Sequence, residues 1–245
     1  MLLYRVTLSY DGTEYLGWQL QPQGETIQGQ LQAVLETMDG KPVMVVGAGR
    51  TDAGVHAHRQ VAHFQLRTEI PPSGLLKGLN SILPADIRVL EAELAPEDFH
   101  ARYSARSKTY RYFLDLSPVS SPFRTRYTLH HPYSLDRDAM SHAAKQFLGR
   151  RDFEAFRASS CEAKTTEREC TTSRFFEDGK ELVYEIAANG FLHHMVRNIM
   201  GTLLEVGRGK LAAEDIEELF AARDRSRAGP TAPARGLHLI RVSYE

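Results

Sequence analysis

The sequence predicts an α+β fold: two ferredoxin-like (split βαβ) halves forming one large, mostly antiparallel sheet, with helices packed on it and a cleft between the halves. Three observations predict it. Stretches in which apolar residues alternate with period 2 are interleaved with stretches of helical spacing. The first half runs in the order β-α-β-β-α-β. The second half follows a similar order at greater length, without a detectable sequence repeat. The boundary falls near His100–Arg106, so the expected domains are 1–104 and 105–245.

In the first half, Tyr4, Val6, Leu8 and Tyr10 alternate with polar residues as in a half-buried strand. A Gly- and Gln-rich loop follows. Thr26 is placed as the N-cap of a helix reaching Met38, with Ile27, Leu31, Val34, Leu35 and Met38 on one face, and Asp39-Gly40 stops it. Val43–Val46 and Val61–Leu66 read as strands around a glycine-rich loop. Ser73 is the expected cap of a helix over Gly74–Ile82, ending before Pro84, and Ile87–Leu94 is the next strand.

In the second half, Lys108–Leu116 reads as a strand and Arg126–Tyr133 as extended. Ser134 is the expected cap of a helix carrying Leu135, Ala139, Ala143 and Phe147. Thr166–Phe176 and Glu181–Ala188 form a hairpin around Asp178-Gly179. Helices are expected over Leu192–Val206 and Glu214–Ala222, a loop broken by Gly229-Pro230 and Pro233 over Arg223–Arg235, and a final strand over Leu237–Tyr244.

Bulk properties bound the function. The 245 residues are 42% hydrophobic and 25% charged, the profile of a soluble globular protein. No apolar run is long enough to span a bilayer, and the N-terminus does not read as a signal peptide, so a cytoplasmic location and no membrane partner are expected. Cys161 and Cys170 do not have zinc-finger or redox spacing and read as free thiols. A net charge of −1 does not advertise nucleic-acid binding; any grip on phosphate requires positive charge concentrated locally. Arg102, Arg106, Lys108 and Arg111, with Arg124 and Arg126 nearby, are candidates, although most such clusters are simply solvated charges.

The run Gly47–Ala57 (GAGRTDAGVHA) carries the chemistry. A dinucleotide fingerprint would need a third glycine where Asp52 stands and a helix after it, and the strand that follows excludes it. Two readings remain: a tight turn capped by Asp52, or a carboxylate presented beside Arg50, whose charge favours the ionised form needed by a nucleophile or base. The loop alone leaves both open.

This run resembles the signature loop of the bacterial tRNA pseudouridine synthase A family. Four further blocks resemble that family in the expected order: Tyr10–Pro22 (YDGTEYLGWQLQP), Arg106–Leu114 (RSKTYRYFL), Phe191–Gly201 (FLHHMVRNIMG) and Ala232–Tyr244 (APARGLHLIRVSY). Together they span the chain nearly end to end. The resemblance implies isomerisation of uridine to pseudouridine at positions 38, 39 and 40 of the anticodon arm of tRNA. It implies no cofactor, no metal and a homodimer.

It implies Asp52 as the catalytic residue, attacking C1′ or C6 or taking the C2′ proton. Tyr110 matches the family's substrate-binding tyrosine, and Tyr112, on the same face of the strand, is left to the core. Arg197 is implied as the partner of the aspartate, Arg50 as a residue for insertion and flipping of the base, and Leu237 as an apolar contact to uracil. His193-His194 lacks the motifs of a metal site, and packing or RNA contact is expected of it. The rival reading is a non-catalytic RNA-binding module, but no aromatic RNA-binding run accompanies it and it gives Asp52 no task.

Overall fold

The computed structural model describes residues 1–245. The chain forms two units, Met1–Arg106 with His238–Glu245, and Ser107–Leu237. The fold is α+β, with mostly antiparallel strand ladders and short parallel ones.

In the first unit the order is β1 (Leu2–Tyr10), α1 (Ile27–Asp39), β2 (Val46–Gly47), β3 (His56–Leu66), α2 (Pro72–Ile82) and β4 (Ile87–Leu94). Strand β1 lies between β3 and β4, antiparallel to both, and β2 pairs antiparallel with β3. This is the split βαβ arrangement. The alternation expected of β1 holds: Tyr4, Val6, Leu8 and Tyr10 are all buried, alongside Ile27, Leu31 and Leu35 of α1 and Leu75 and Leu79 of α2. Thr26 caps α1 by accepting the Gly29 N–H at 3.2 Å, and Gly40, at φ 71°, ends it in the left-handed conformation.

Three local expectations are corrected in this unit. The strand expected over Val43–Val46 shrinks to Val46–Gly47 in the ladder. Strand β3 begins at His56, five residues before the expected Val61, because His56, His58, Arg59 and Gln60 mask its alternation. Helix α2 is not capped by Ser73; Pro72 occupies its first position, where a missing N–H costs no intrahelical bond.

The second unit contains β5 (Ser107–Asp115), β6 (Leu129–His130), α3 (Arg137–Lys145), β7 (Gly149–Asp152), β8 (Glu167–Asp178), β9 (Glu181–Ala188), α4 (Met195–Gly207) and α5 (Asp215–Ala222). The ladder order is β5-β9-β8-β7, all antiparallel, with β6 parallel to the end of β5. The β8–β9 hairpin turns at Gly179, whose φ is 60°. Only Leu129–His130 of the expected extended stretch 126–133 pairs in a ladder. Asp136, not Ser134, caps α3, accepting the Ala139 N–H at 2.9 Å. Strand β7 was not expected. Helix α4 starts at Met195, three residues late, because His194 sits at φ 60° and cannot extend the helix backward.

The last strand, β10 (Leu237–Ser243), corrects the expected division of the chain. It pairs in parallel with β3, His238 opposite His56 and Leu239 opposite Ala57. Residues 238–245 therefore belong with the first unit rather than with the expected domain 105–245. Both cysteines are free thiols, Cys170 buried. No helix is long and apolar enough to cross a membrane.

Candidate active site

In the first unit the Gly47–Ala57 loop is held against the segment Tyr10–Trp18 by backbone contact. The Thr51 carbonyl accepts the Trp18 N–H at 3.0 Å, and Gly54 donates to the Tyr15 carbonyl at 3.3 Å. Such approach leaves no room for side chains. A Cβ on Gly17, itself at φ 89°, would lie 2.4 Å from the Thr51 carbonyl oxygen, and one on Gly12 2.0 Å from that of Val55. The Thr51 side chain is buried and its hydroxyl shares a 2.8 Å hydrogen bond with Tyr10. Burial pushes the Tyr10 phenol up to about 12, so it stays a neutral partner. Gln60 donates to the Gly49 carbonyl at 3.0 Å.

Asp52 follows this anchor and is half-buried, between buried Thr51 and exposed Ala53. Its main-chain carbonyl accepts the Val55 N–H at 3.1 Å. The turn is thus closed by the backbone of Asp52, so the carboxylate is not required to close it. Arg50 is exposed, two residues upstream. At the far end of the loop, His56 is buried and its Nδ1 accepts the Gly12 N–H at 3.1 Å. Its ring lies 4.7 Å from that of His238, whose Nδ1 is 3.2 Å from Nε2 of His58.

In the second unit, Tyr110 lies on β5 opposite Ile186 of β9 and is buried, with the Phe191 ring edge-on at 5.0 Å. Tyr112 has a separate task. It is fully buried, donates its hydroxyl to the Pro233 carbonyl at 2.8 Å, and packs so closely on Gly236 that a Cβ there would sit 2.6 Å from the ring. Burial raises the Tyr112 phenol well above its ordinary range. Its hydroxyl serves structure, in keeping with a core assignment.

Arg197 is not the surface arginine of an amphipathic helix. Helix α4 is buried on nearly every side, from Met195 to Leu204 apart from half-buried Arg197. Its Nε donates to the Ala232 carbonyl at 2.8 Å, and the Ala232 N–H returns a 3.1 Å bond to the Arg197 carbonyl. The polar segment 225–233 packs on the same helix. Gly201 and Gly229 allow contact so close that a Cβ on Gly201 would fall 1.6 Å from the Pro230 oxygen. Asn198, fully buried, accepts from Arg225 at 3.0 Å and Thr231 at 2.7 Å and donates to the Phe156 carbonyl at 2.8 Å. Leu237 is buried at the end of this segment. His193 is exposed and its Nδ1 meets the Ser160 hydroxyl at 3.2 Å.

Sequence reasoning missed these supports. Glycines in Tyr10–Trp18 and on α4 were the available signal, but which backbone each one faces depends on the fold. The basic cluster is also narrower than the sequence suggests. Arg111 is paired with Glu185 at 2.8 Å and Arg124 with Glu181 at 2.7 Å. Burial opposes ionisation of Glu185, but hydrogen bonds from Arg174 and Arg111 outweigh it and hold its carboxyl below the usual range. Arg102 and Arg106 are exposed and make no ion pair.

Residues 7–104 and 143–245 match the family described as tRNA pseudouridine synthase. Similar curated proteins include the tRNA pseudouridine synthase A of Syntrophotalea carbinolica, 46% identical over 245 residues, 100% of this chain and 97% of that one. That of Moorella thermoacetica is 47% identical over 243 residues, 98% of each chain. That of Halalkalibacterium halodurans is 47% identical over 231 residues, 94% of this chain and 88% of the other. The chain belongs to the tRNA pseudouridine synthase family, enzymes that isomerise uridine in tRNA.

Proposed function

We propose that this enzyme converts uridine to pseudouridine at positions 38, 39 and 40 of the anticodon arm of tRNA, with Asp52 as its catalytic carboxylate. The observation that carries the reading is the anchored turn at Asp52: the main chain closes it and Thr51 pins it, so Asp52 is presented from a fixed backbone. The reaction breaks the N1–C1′ bond and forms C5–C1′. N1 gains a proton and C5 loses one, so the isomerisation balances without a cofactor or metal.

A uracil within a stem must leave the stack before it can react. In this reading Arg50, exposed beside the loop, assists the flip. Tyr110 supplies a stacking surface worth about 1–3 kcal/mol per base. Arg197 is the proposed partner of the aspartate. Leu237 gives an apolar contact to the uracil. The enzyme acts in the cytoplasm as a homodimer that binds tRNA.

The test is proton release from C5-tritiated uridine in tRNA, followed by mapping of the modified positions. Asp52→Ala abolishes release while tRNA binding persists; turnover near that of the parent would remove Asp52 from the chemistry. Tyr110→Phe retains activity and Tyr110→Ala loses most of it. Equal rates in both and in the parent would remove Tyr110 from the site.

A further inference from the structure

The turn Phe99–Arg106 of the first unit holds a large aromatic in water. Tyr103 is 77% exposed. The turn beneath it is fixed by six hydrogen bonds. His100 Nδ1 accepts the N–H groups of Arg102 at 3.1 Å and Tyr103 at 3.2 Å. The Ser104 hydroxyl accepts the His100 N–H at 3.0 Å, and the Ser104 N–H returns to the His100 carbonyl at 2.9 Å. From outside the turn, His63 Nδ1 accepts the Ala101 N–H at 3.0 Å, and the Tyr244 hydroxyl donates to the Ala101 carbonyl at 2.8 Å.

The rings form a short column. His63 and His100 meet edge-on at 4.8 Å, and His100 lies 4.3 Å from Tyr103 at an interplanar angle of 32°. His100 thus covers one side of the tyrosine, and its exposure leaves the other side to solvent. The Arg102 guanidinium is 5.8 Å from the centre of the Tyr103 ring. Arg102 and Arg106 carry charges that no carboxylate neutralises, unlike Arg111 and Arg124.

We propose that Tyr103 is a stacking platform for an unpaired base of the bound tRNA, separate from the residues assigned to the reacting uridine, with Arg102 and Arg106 meeting the flanking phosphates. The inference rests on tRNA being the substrate. The chemistry selects this ligand: an open aromatic face takes a base, and unpaired guanidiniums beside it take the backbone. Every base presents a π-face, so the platform is indifferent to sequence. The fixed turn also lowers the cost of ordering Tyr103 on binding.

The experiment uses the full-length protein and an unmodified tRNA transcript. Tyr103→Ala raises Kd and KM for tRNA by ~10-fold, within the range for loss of one stacked base, with kcat at saturation unchanged. Tyr103→Phe and Tyr103→Trp bind like the parent. The emission of Tyr103→Trp is quenched by tRNA beyond the response of Trp18, which is buried. Parent-like affinity in Tyr103→Ala, or an unquenched tryptophan, overturns the proposal. So does a Tyr103→Ala protein that loses its dimer but keeps its tRNA affinity, since a second copy of the chain would then cover this face. Tritium release by the parent is measured on the same transcript. Its absence would count against the modification reading and leave the binding comparison to stand alone.

Discussion

Two glycines separate the cost of a backbone angle from the cost of a contact. Gly17 and Gly40 both sit at positive φ, but only Gly17 faces a carbonyl; nothing lies within 4 Å of a Cβ on Gly40. Gly40→Ala costs about 1 kcal/mol, Gly17→Ala about 2 kcal/mol or more. At roughly 2–4 °C per kcal/mol, Gly17→Ala lowers Tm by ~4–8 °C, and it also lowers kcat because the Thr51–Asp52 anchor must shift. Matching melting curves and rates for the two variants would show that Gly17 does not clamp the loop.

His63 gives a pH dependence at the same scale. Burial, and then the neighbouring His100, hold its pKa below the ordinary value. The neutral ring is therefore the folded form, and it is neutral Nδ1 that accepts the Ala101 N–H. This contribution is complete above the unfolded value near 6.5 and is lost as pH falls from there through the depressed folded value. His63→Asn, which offers an amide oxygen in place of Nδ1, flattens the decline of Tm below pH 7. An unchanged slope would assign the decline to another group.

Among the elements, legibility followed the strength of the local signal. Helix α1 and strands β1 and β4 were readable because alternation or helical spacing ran unbroken to a cap or turn. The start of β3 was not, since the buried polar side chains of His56 and Gln60 look like solvent-facing residues until their partners are known. The start of α4 was hidden because left-handed His194 resembles any helical histidine. The roles proposed for Asp52, Tyr110, Arg197 and Leu237 rest only on family blocks. Their local patterns alone suit a turn, a strand aromatic, a helix arginine and a core leucine.

Two elements carry tests of stability. Arg111, Glu185 and Arg174 stand directly opposite one another across β5, β9 and β8. Because both arginines are partly exposed, Glu185→Gln costs about 1–2 kcal/mol rather than the value for a fully buried pair. The difference from the parent vanishes as pH falls through the depressed pKa of Glu185, below about 4.5. A difference that persists in acid would show that charge is not its origin. Asn198→Ala leaves Arg225, Thr231 and the Phe156 carbonyl without their partner, costs about 2–3 kcal/mol, and lowers Tm by ~4–12 °C. A variant as stable as the parent would mean that the segment on α4 is held by its glycine contacts alone.

For the whole molecule, a net charge of −1 conceals uneven distribution. Several arginines are committed to carboxylates within the sheet, so the charge left for phosphate is smaller than composition suggests. Affinity for tRNA falls steeply with added salt, since each phosphate contact releases counterions. A flat response would remove the charged contacts from the binding surface. The division into units was only partly legible for a related reason: alternation identifies β10 as a strand but not which ladder receives it.

That placement has a consequence for how the protein is made. Strand β3 leaves the ribosome early, while the strand paired with its first residues, beside the Asp52 turn, follows only after the whole of Ser107–Leu237. At ~5–20 residues per second that interval is on the order of ten seconds, far longer than a hairpin needs to close. Throughout it, a nascent first unit carries the Asp52 turn with one flank unzipped. The turn acquires this neighbour only once His238 and Leu239 have been made, and a chain stalled short of them carries the Asp52 carboxylate on an open scaffold.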